Sequence, residues 1–406
     1  MEVPFFRPYI GDAEIAEVTA ALESGWLTTG PRVAEFEERF RVAVGARYAV
    51  AVNSCTAAMH LALEALALRR GDFVLVPTLT FAATAEVVRY MGATPILVDC
   101  ESSTLNMDLA DAENKLAAFH RGELPYMDSG DPVGLIPVHV GGLMMDPEEV
   151  RTWADARNLW IVEDAAHAFP AAWRADIRSS WTPCGSGTAR ASCFSFYANK
   201  TITTGEGGLV ATEEHDLAER IRLMSLHGLS RDGWNRYSAG GSWDYRIVPP
   251  GFKYNLTDIA AAIGLAQLTR AEDLRDRRER IALEYLARLG SVEELELPPN
   301  PSDRILAWHL FPLRLRLELL DIDRDAFIAA LYQRGVQTSV HWRPLHLHPY
   351  YQDTLGWRPE HCPVASREWK RLISLPLFPA MTTAEIVHVA KAVHDVCEHH
   401  GRKTLT

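Results

Sequence analysis

The chain has 406 residues, of which 48% are hydrophobic and 23% charged, an ordinary composition for a soluble globular protein. This length exceeds what one compact core usually holds, so we expect two domains. Its 41 Lys and Arg residues face 53 Asp and Glu residues, and the resulting net charge of −12 disfavours binding to nucleic acid or to anionic membranes, because it repels phosphates.

Other features of the sequence favour a cytoplasmic protein. No apolar run approaches the roughly 20 residues that span a bilayer, and the first residues, MEVPFFRPYI, lack the basic start and apolar core of a signal peptide. The 6 cysteines are scattered without a CxxC pair, which favours reduced thiols over a disulfide framework or a zinc site. We therefore expect no membrane or nucleic-acid partner and no bound metal.

Short apolar runs alternate with helical stretches from about residue 46 to 210. This alternation predicts a mainly parallel sheet wrapped by helices, in which ligands bind at the carboxyl ends of the strands. The runs predicted as strands are YAVAV (48–52), FVLVP (73–77), PILVD (95–99), GLIPVHV (134–140), WIVED (160–164) and CFSFY (193–197).

The pattern changes after about residue 257. A long helical stretch, 257–290, could connect two domains, and it is followed by the strand-like HLFPLRLRL (309–317) and VQTSV (336–340), a helix over 323–335 and a helix from about residue 382. We predict a large domain over 1–256, and a linking helix with a small α+β domain over 257–406. The N-terminal segment is a candidate to pack on the small domain, and the loop 174–190 is the hardest part to assign.

The segment VNSCTAAMHLAL predicts a helix start that can hold an anion. Asn53 or Ser54 can cap the helix, and its first turn contains Thr56 and Ala57. Free main-chain N–H groups, the helix dipole and the Thr56 hydroxyl together suit a phosphate. The alternative is an ordinary capped helix.

Two further segments follow predicted strands. In PTLTFAATA, the ring of Phe81 could stack on a flat ligand, although an aromatic residue at a helix start is often part of a core. In WIVEDAAHAF, Glu163 and Asp164 end a strand and precede His167. A carboxylate there can hold a protonated ring nitrogen, or it can simply cap the strand end.

The segment CFSFYANKTITTGEGGLV places Lys200 among hydroxyls and glycines after an apolar run. A lysine in a confined site can lose its proton and form a Schiff base with an aldehyde. Nearby hydroxyls, such as that of Ser195, could bind a phosphate, and the glycines allow close approach of the main chain. The alternative, a surface lysine in a glycine turn, fits poorly with so apolar a preceding strand.

Together these four features describe one ligand, pyridoxal 5′-phosphate (PLP). Phe81 offers a face for its ring and Asp164 an anion for its nitrogen. The helix start at Thr56 and the hydroxyl of Ser195 offer a phosphate site, and Lys200 offers an amine for the aldehyde.

The chain contains, in this order, the segments NSCTAAMHLAL, PTLTFAATAEVVRYMGATPILVD, EDAAHAF, FSFYANKTITTGEGG, GFKYNLTDIAAAIGLAQL and LISLPLFPAMTT. With these segments the chain resembles the nucleotide-sugar aminotransferases of the DegT–StrS family, and the resemblance covers nearly its whole length. It implies an α/β protein with the PLP-dependent transferase fold type I. It also implies a homodimer with shared active sites, in which one subunit completes the other's cofactor pocket.

The resemblance implies residue roles as well. Lys200 matches the Schiff-base lysine and Asp164 the carboxylate on the pyridinium nitrogen, and these two are the expected catalytic residues. The other matched cofactor-binding positions are Thr56, Ala57, Phe81, His167, Ser195 and Asn255, the last of which reaches the phosphate from the partner subunit. Segments 25–31 and 339–346 resemble the lining of the sugar-nucleotide site, with Trp26, Thr28, Thr29, His341 and Trp342 as expected contacts.

The implied reaction is transfer of an amino group from L-glutamate to a keto-sugar nucleotide. Relatives that deoxygenate sugars at C-3 carry histidine in place of Lys200, so the lysine indicates amino transfer. The segment KYNLTDI (253–259) resembles that of enzymes acting at sugar C-4, which predicts a 4-amino-4-deoxy or 4-amino-4,6-dideoxy sugar nucleotide for polysaccharide or secondary-metabolite biosynthesis.

Three alternatives stay open at this point: a C-3 sugar-nucleotide aminotransferase, a cyclitol aminotransferase and a non-catalytic regulatory protein on the same fold. Lys200 and Asp164 disfavour the last, because a binding protein needs neither. The loop 174–190 departs from the compact turn common in relatives, which leaves the identity of the sugar open.

Overall fold

The elements of the chain come from a computed structural model, which describes residues 1–187, 189–229 and 246–402. The strands, in chain order, are β1 Tyr48–Val52, β2 Phe73–Pro77, β3 Thr94–Val98, β4 Pro132–Leu135, β5 Trp160–Asp164, β6 Ala172–Trp173, β7 Thr182–Pro183, β8 Ala191–Ser195, β9 Gly208–Thr212, β10 Leu295–Glu296, β11 Arg304–Ile305, β12 Phe311–Leu315 and β13 Leu372–Leu375. The α-helices are Asp12–Glu23, Pro31–Val44, Cys55–Ala65, Ala83–Tyr90, Leu109–His120, Pro147–Asp155, His215–Ser225, Asp258–Leu268, Ala271–Leu289, Arg324–Gln333, Pro349–Leu355, Pro363–Trp369 and Thr383–His400. Short 3₁₀ turns occupy Val140–Gly142, Leu317–Leu319, Leu345–Leu347 and Pro359–His361.

A central sheet with strand order β1-β9-β8-β5-β4-β2-β3 organises the larger part of the described chain. Its strands run parallel except β9, which is antiparallel to both β1 and β8. Strands β2 and β3 are buried along their whole length, as expected for parallel strands covered on both faces. The predicted α/β fold with a mainly parallel sheet is therefore confirmed.

The predicted strands lie close to the observed ones, with two shifts. Strand β4 ends at Leu135 rather than at residue 140, and Pro137, which has no N–H to donate, follows shortly after. The run predicted over 193–197 begins two residues earlier, as β8, so the chain leaves the sheet at Ser195, before it reaches Lys200.

The long helical stretch predicted over 257–290 is two helices, Asp258–Leu268 and Ala271–Leu289. Arg270 lies between them with φ −125°, and its side chain donates to the carbonyl of Tyr9 and to Glu14. These contacts anchor the bend against the N-terminal segment.

The segment VQTSV, predicted as a strand, forms only single bridges. Val336 pairs with Val3, and Ser339 pairs with Ser374. The three-stranded sheet β10-β12-β13 and the helices around it form a second core, in which Val3 is buried. The N-terminal segment thus packs on this second core.

The predicted domain division at residue 257 stays a prediction, and the packing crosses it more than once. Leu345, Tyr351 and Cys362 belong to the core of the large sheet, although they follow the boundary. Within the loop 174–190, of which Thr188 lies outside the described residues, β7 joins a small sheet of order β11-β6-β7. No helix among the described residues is long and apolar enough to cross a membrane.

Candidate active site

A cavity of about 460 Å³ lies at the carboxyl ends of β5 and β8, where the sequence predicts a ligand site. Its lining comes from several separate parts of the chain: Ser54, Cys55, Thr56, Met59, Thr80, Phe81, Ala83, Val138, Asp164, Ala166, His167, Ser195, Tyr197, Asn199, Lys200, Glu206, Gly207, His309, His341 and Trp342. One cavity is therefore lined by the predicted amine, carboxylate, aromatic ring and helix start.

Lys200 reaches the cavity from the turn that follows β8. Its Nζ lies 3.4 Å from Nε2 of His309, which is 5% exposed. Burial lowers the pKa of Lys200 to about 8; the charge of Asp164 opposes this shift, and that of Arg278 adds to it. The amine is therefore largely uncharged at mildly alkaline pH, as a nucleophile or a base must be.

The carboxylate of Asp164 is fixed by two donors. Oδ2 accepts a hydrogen bond from the hydroxyl of Thr84 (2.8 Å), and Oδ1 accepts one from the N–H of Ala166 (3.1 Å). Burial raises the pKa of Asp164, while the bond from Thr84 is the main influence lowering it. A cation placed beside this carboxylate would stabilise its charged form.

Glu163, the other carboxylate of the motif, does not line the cavity. Successive side chains of a strand point to opposite faces, and Glu163 accepts a 2.5 Å hydrogen bond from Ser192 and lies 3.7 Å from Nε2 of His139. Its carboxylate, His139 and Cys184 bring their polar atoms within 4.8 Å of one another in the buried interior. Of the two carboxylates, Asp164 is thus the one that faces the cavity.

The helix Cys55–Ala65 points its N-terminus at the cavity. Ser54 caps it by accepting from the N–H of Ala57 (3.1 Å), and Thr56 lies in the first turn, where main-chain N–H groups have no partner within the helix. A Cβ at Gly208 would come within 2.5 Å of the N atom of Cys55, so only glycine lets β9 approach this helix start. The arrangement is a cradle for an anion.

Aromatic rings face the cavity from different parts of the chain. The ring of Phe81 is 62% exposed, so it is available to a ligand rather than buried in a core. His167 stacks on Trp342 (ring centroids 5.1 Å apart) and lies 4.2 Å from His309. Burial holds the pKa of His167 well below its ordinary value, and it lowers that of His341 to about 4, so these rings are neutral.

Most predicted site residues line the cavity: Thr56, Phe81, Asp164, His167, Ser195, Lys200, His341 and Trp342. The remaining ones, Ala57, Trp26, Thr28, Thr29 and Asn255, do not line the cavity of their own chain. The amide of Ala57 is engaged by the helix cap. Asn255 instead donates to the hydroxyl of Thr29 (2.7 Å) and accepts from Lys253.

Sequence reasoning missed several residues that shape the site. Thr84 lies within the segment PTLTFAATA, but nothing in that segment marks it as the partner of Asp164. The pattern around His309 indicates only the start of a strand. Arg278 lay in a charged helical stretch, yet a usable signal existed, because it shares the helical spacing of the buried Leu274 and Tyr285.

Comparisons with known proteins identify the family and the fold that this chain resembles. The model of the DegT/DnrJ/EryC1/StrS aminotransferase family matches residues 8–394. The chain is 41% identical over 395 residues to the spore coat polysaccharide biosynthesis protein SpsC of Bacillus subtilis, covering 97% of each chain. It is similar to sugar aminotransferase CalS13 from Micromonospora echinospora (29% identity, TM-score 0.82, 97% and 99% covered). It is also similar to Spr1654 of Streptococcus pneumoniae in its PLP form (30% identity, TM-score 0.84, 98% and 99% covered).

Proposed function

The chain belongs to the DegT/DnrJ/EryC1/StrS aminotransferase family, and from this premise we propose that it transfers an amino group from L-glutamate to C-4 of a keto-sugar nucleotide, using PLP. The observation that carries the proposal is the presence of Lys200 and Asp164 in one cavity. A regulatory protein on this fold would need neither the amine nor the carboxylate.

PLP fits the donors that surround the cavity. The helix start at Thr56 and the hydroxyl of Ser195 would hold its phosphate, Phe81 would cover its ring, Asp164 would pair with its ring nitrogen, and Lys200 would bind its aldehyde. When bound, PLP supplies an electron-poor ring that stabilises the charge left on a carbon after its proton is removed. The similarity to Spr1654 in its PLP form supports this assignment.

Lys200 is the proton carrier of the proposed reaction. Its Nζ would take the proton from the α-carbon of the amino donor, and in the second half of the reaction it would deliver a proton to the carbonyl carbon of the keto sugar, the carbon that receives the amine. A pKa of about 8 suits both directions, because the amine then gains and loses a proton easily near neutral pH.

Asp164 supplies the negative charge that would stabilise a protonated ring nitrogen of PLP during this proton transfer. Its carboxylate is buried and is fixed by Thr84 and the amide of Ala166, so it can stay in place opposite a protonated ring nitrogen. Ordered, buried groups of this kind need no reorganisation during the reaction, which makes their electrostatic contribution large.

The keto sugar is expected to enter beside His341 and Trp342, which line the cavity on the side of His167. Reaction at C-4 is supported by the segment KYNLTDI, and a role in polysaccharide biosynthesis is supported by the 41% identity to SpsC. Thr29 and Asn255, which bond to each other outside this cavity, would act at the site of the partner subunit in a homodimer.

A subunit-mixing experiment tests the shared site. Lys200→Ala and Asn255→Ala proteins are each expected to have little activity, whereas a mixed dimer regains one working site, because one of its cavities has both an intact lysine and an intact asparagine from across the interface. Activity is measured after unfolding and refolding the two variants together at several ratios. If mixing restores nothing while wild-type subunits refold with full activity, Asn255 acts only within its own subunit.

The function itself is tested by the visible absorption spectrum of the purified protein, recorded before and after addition of L-glutamate. We expect a yellow band from PLP held by Lys200, and its bleaching to the pyridoxamine form. Keto-sugar nucleotides are then supplied, and the position of the new amine is determined by nuclear magnetic resonance. An amine at C-3 would contradict the C-4 proposal, and the absence of any band after adding PLP would contradict the enzyme proposal.

A further inference from the structure

Arg278 is a buried cation in the helix Ala271–Leu289. It is 3% exposed, and among the described residues no carboxylate pairs with it, so burial is the one influence on its pKa. Its guanidinium donates instead to main-chain carbonyls, those of Leu377 (3.0 Å), Asn199 (3.2 Å), Trp308 (3.3 Å) and His309 (3.4 Å). Burying a charge without a counter-ion is costly, so a residue of this kind calls for a reason beyond packing.

Three of the four carbonyls that Arg278 binds belong to two segments that meet at the amine of Lys200, and the fourth carbonyl is that of Leu377. Asn199 immediately precedes Lys200 in the chain, and the ring of His309 lies 3.4 Å from the Lys200 amine. Nη2 holds the carbonyl of Asn199, while Nη1 holds the segment of His309. One planar guanidinium thus links the main chain next to Lys200 with the main chain of His309, the two residues whose side chains meet in the cavity.

We propose that Arg278 is a positioning residue for Lys200. The guanidinium of Arg278 fixes the main chain on both sides of the contact between the Lys200 amine and the His309 ring. This inference rests on the proposed function only for the role of Lys200 in amino transfer. Lysine cannot replace such a residue fully, because an ammonium group lacks the two rigid arms of the fork.

The charges around Lys200 are consistent with this role. The cation of Arg278 adds to burial in lowering the pKa of Lys200 and also lowers that of His309, whose Nε2 can therefore stay an uncharged acceptor. Burial lowers the pKa of Arg278 only to about 10, so it keeps its charge at neutral pH. Among the described groups, Asp164, Cys55 and Arg278 influence the pKa of Lys200, and Lys200 in turn lowers the pKa values of His167, His309 and His341. Tyr197 and Glu206 also line the cavity.

The test uses the full chain without cofactor or substrate. Lys200 is modified by acetic anhydride at a series of pH values, and the extent of modification is measured by peptide mass spectrometry, with the exposed Lys391 as internal reference. For Arg278→Met we expect the midpoint of Lys200 reactivity to rise from near 8, and reactivity at pH 7 to fall about three- to tenfold, since one pH unit is a tenfold change in the uncharged amine.

Arg280→Met, on the exposed side of the same helix, is the matched control and is expected to keep the wild-type midpoint. Folding of the Arg278→Met protein is checked by circular dichroism and thermal unfolding. If the folded variant shows the wild-type pH midpoint and the wild-type rate of Lys200 modification, the proposal is overturned. Failure of the proposed function is distinguishable, because the absence of a PLP band or of amino transfer in the wild-type protein leaves this reactivity unaffected.

If Arg278→Met does not fold, Arg278→Lys carries the test. The lysine keeps the charge but cannot reach all four carbonyls, so we expect the midpoint to stay near that of the wild type while the limiting rate of Lys200 modification at high pH changes at least twofold. An unchanged limiting rate would contradict a positioning role for the guanidinium fork.

Discussion

Replacing Lys200 by alanine is expected to reduce amino transfer by more than about 10⁴-fold while the protein still folds. The substitution removes both the amine that binds the cofactor aldehyde and the group that moves the proton, and general acid–base catalysis alone contributes about 10²–10⁴-fold. The fold should tolerate the change, because Lys200 is a desolvated amine whose one side-chain hydrogen-bond contact among the described residues is with a neutral histidine. Turnover is measured with L-glutamate and a keto-sugar nucleotide, and folding by circular dichroism.

Lys391→Ala is the matched control for this experiment. Lys391 lies on the exposed face of the helix Thr383–His400, where it pairs with Asp395, and such surface pairs contribute little to stability. We expect its activity and its absorption spectrum to equal those of the wild type. Retention of turnover by Lys200→Ala would refute the assignment of the catalytic lysine.

Asp164→Asn is expected to slow the reaction by about 10²–10³-fold, the range seen when one preorganised group that stabilises transition-state charge is removed. The amide is nearly the same size and can still accept from the N–H of Ala166, and the hydroxyl of Thr84 has a second acceptor in the carbonyl of Phe81 (3.2 Å). Cofactor content should therefore fall much less than the rate. The first half-reaction is followed by rapid mixing, and bound PLP is quantified after its release in alkali.

Asp216→Asn provides the comparison for a change of charge alone. Asp216 is fully exposed near the start of the helix His215–Ser225, and it does not line the cavity. Its replacement should leave both the rate and the cofactor content unchanged. An unchanged rate in Asp164→Asn would instead show that this carboxylate has no electrostatic role in the reaction.

The parallel strands and the candidate site residues could be predicted from the sequence, because both depend on short segments. Five-residue runs at 73–77 and 160–164 mark β2 and β5, and a capping serine marks the helix at Cys55. Since parallel strands bring their carboxyl ends to one edge, Asp164 and Lys200 could be placed together from their positions after strands. Both residues line the same cavity.

The break of the predicted long helix was not foreseen, because it depends on contacts with a distant segment. Residues 257–290 have a continuous helical pattern, and Arg270, at the break, bonds to Tyr9 and Glu14 in the N-terminal segment. The same limitation applies to VQTSV, whose apolar alternation suggests a strand although its neighbours provide only single bridges.

The side chains that support Lys200 and Asp164, the proposed catalytic pair, become visible only in the folded chain. Thr84 lies 80 residues from Asp164 along the chain, and His309 lies 109 residues from Lys200. A hydrogen bond between such distant residues leaves no local pattern, because strand and helix periodicity describe only which face of an element is buried. The same reason applies to the buried guanidinium of Arg278. Its helical spacing indicates an inward-facing residue, but the carbonyls that it binds come from distant segments that only the fold brings together.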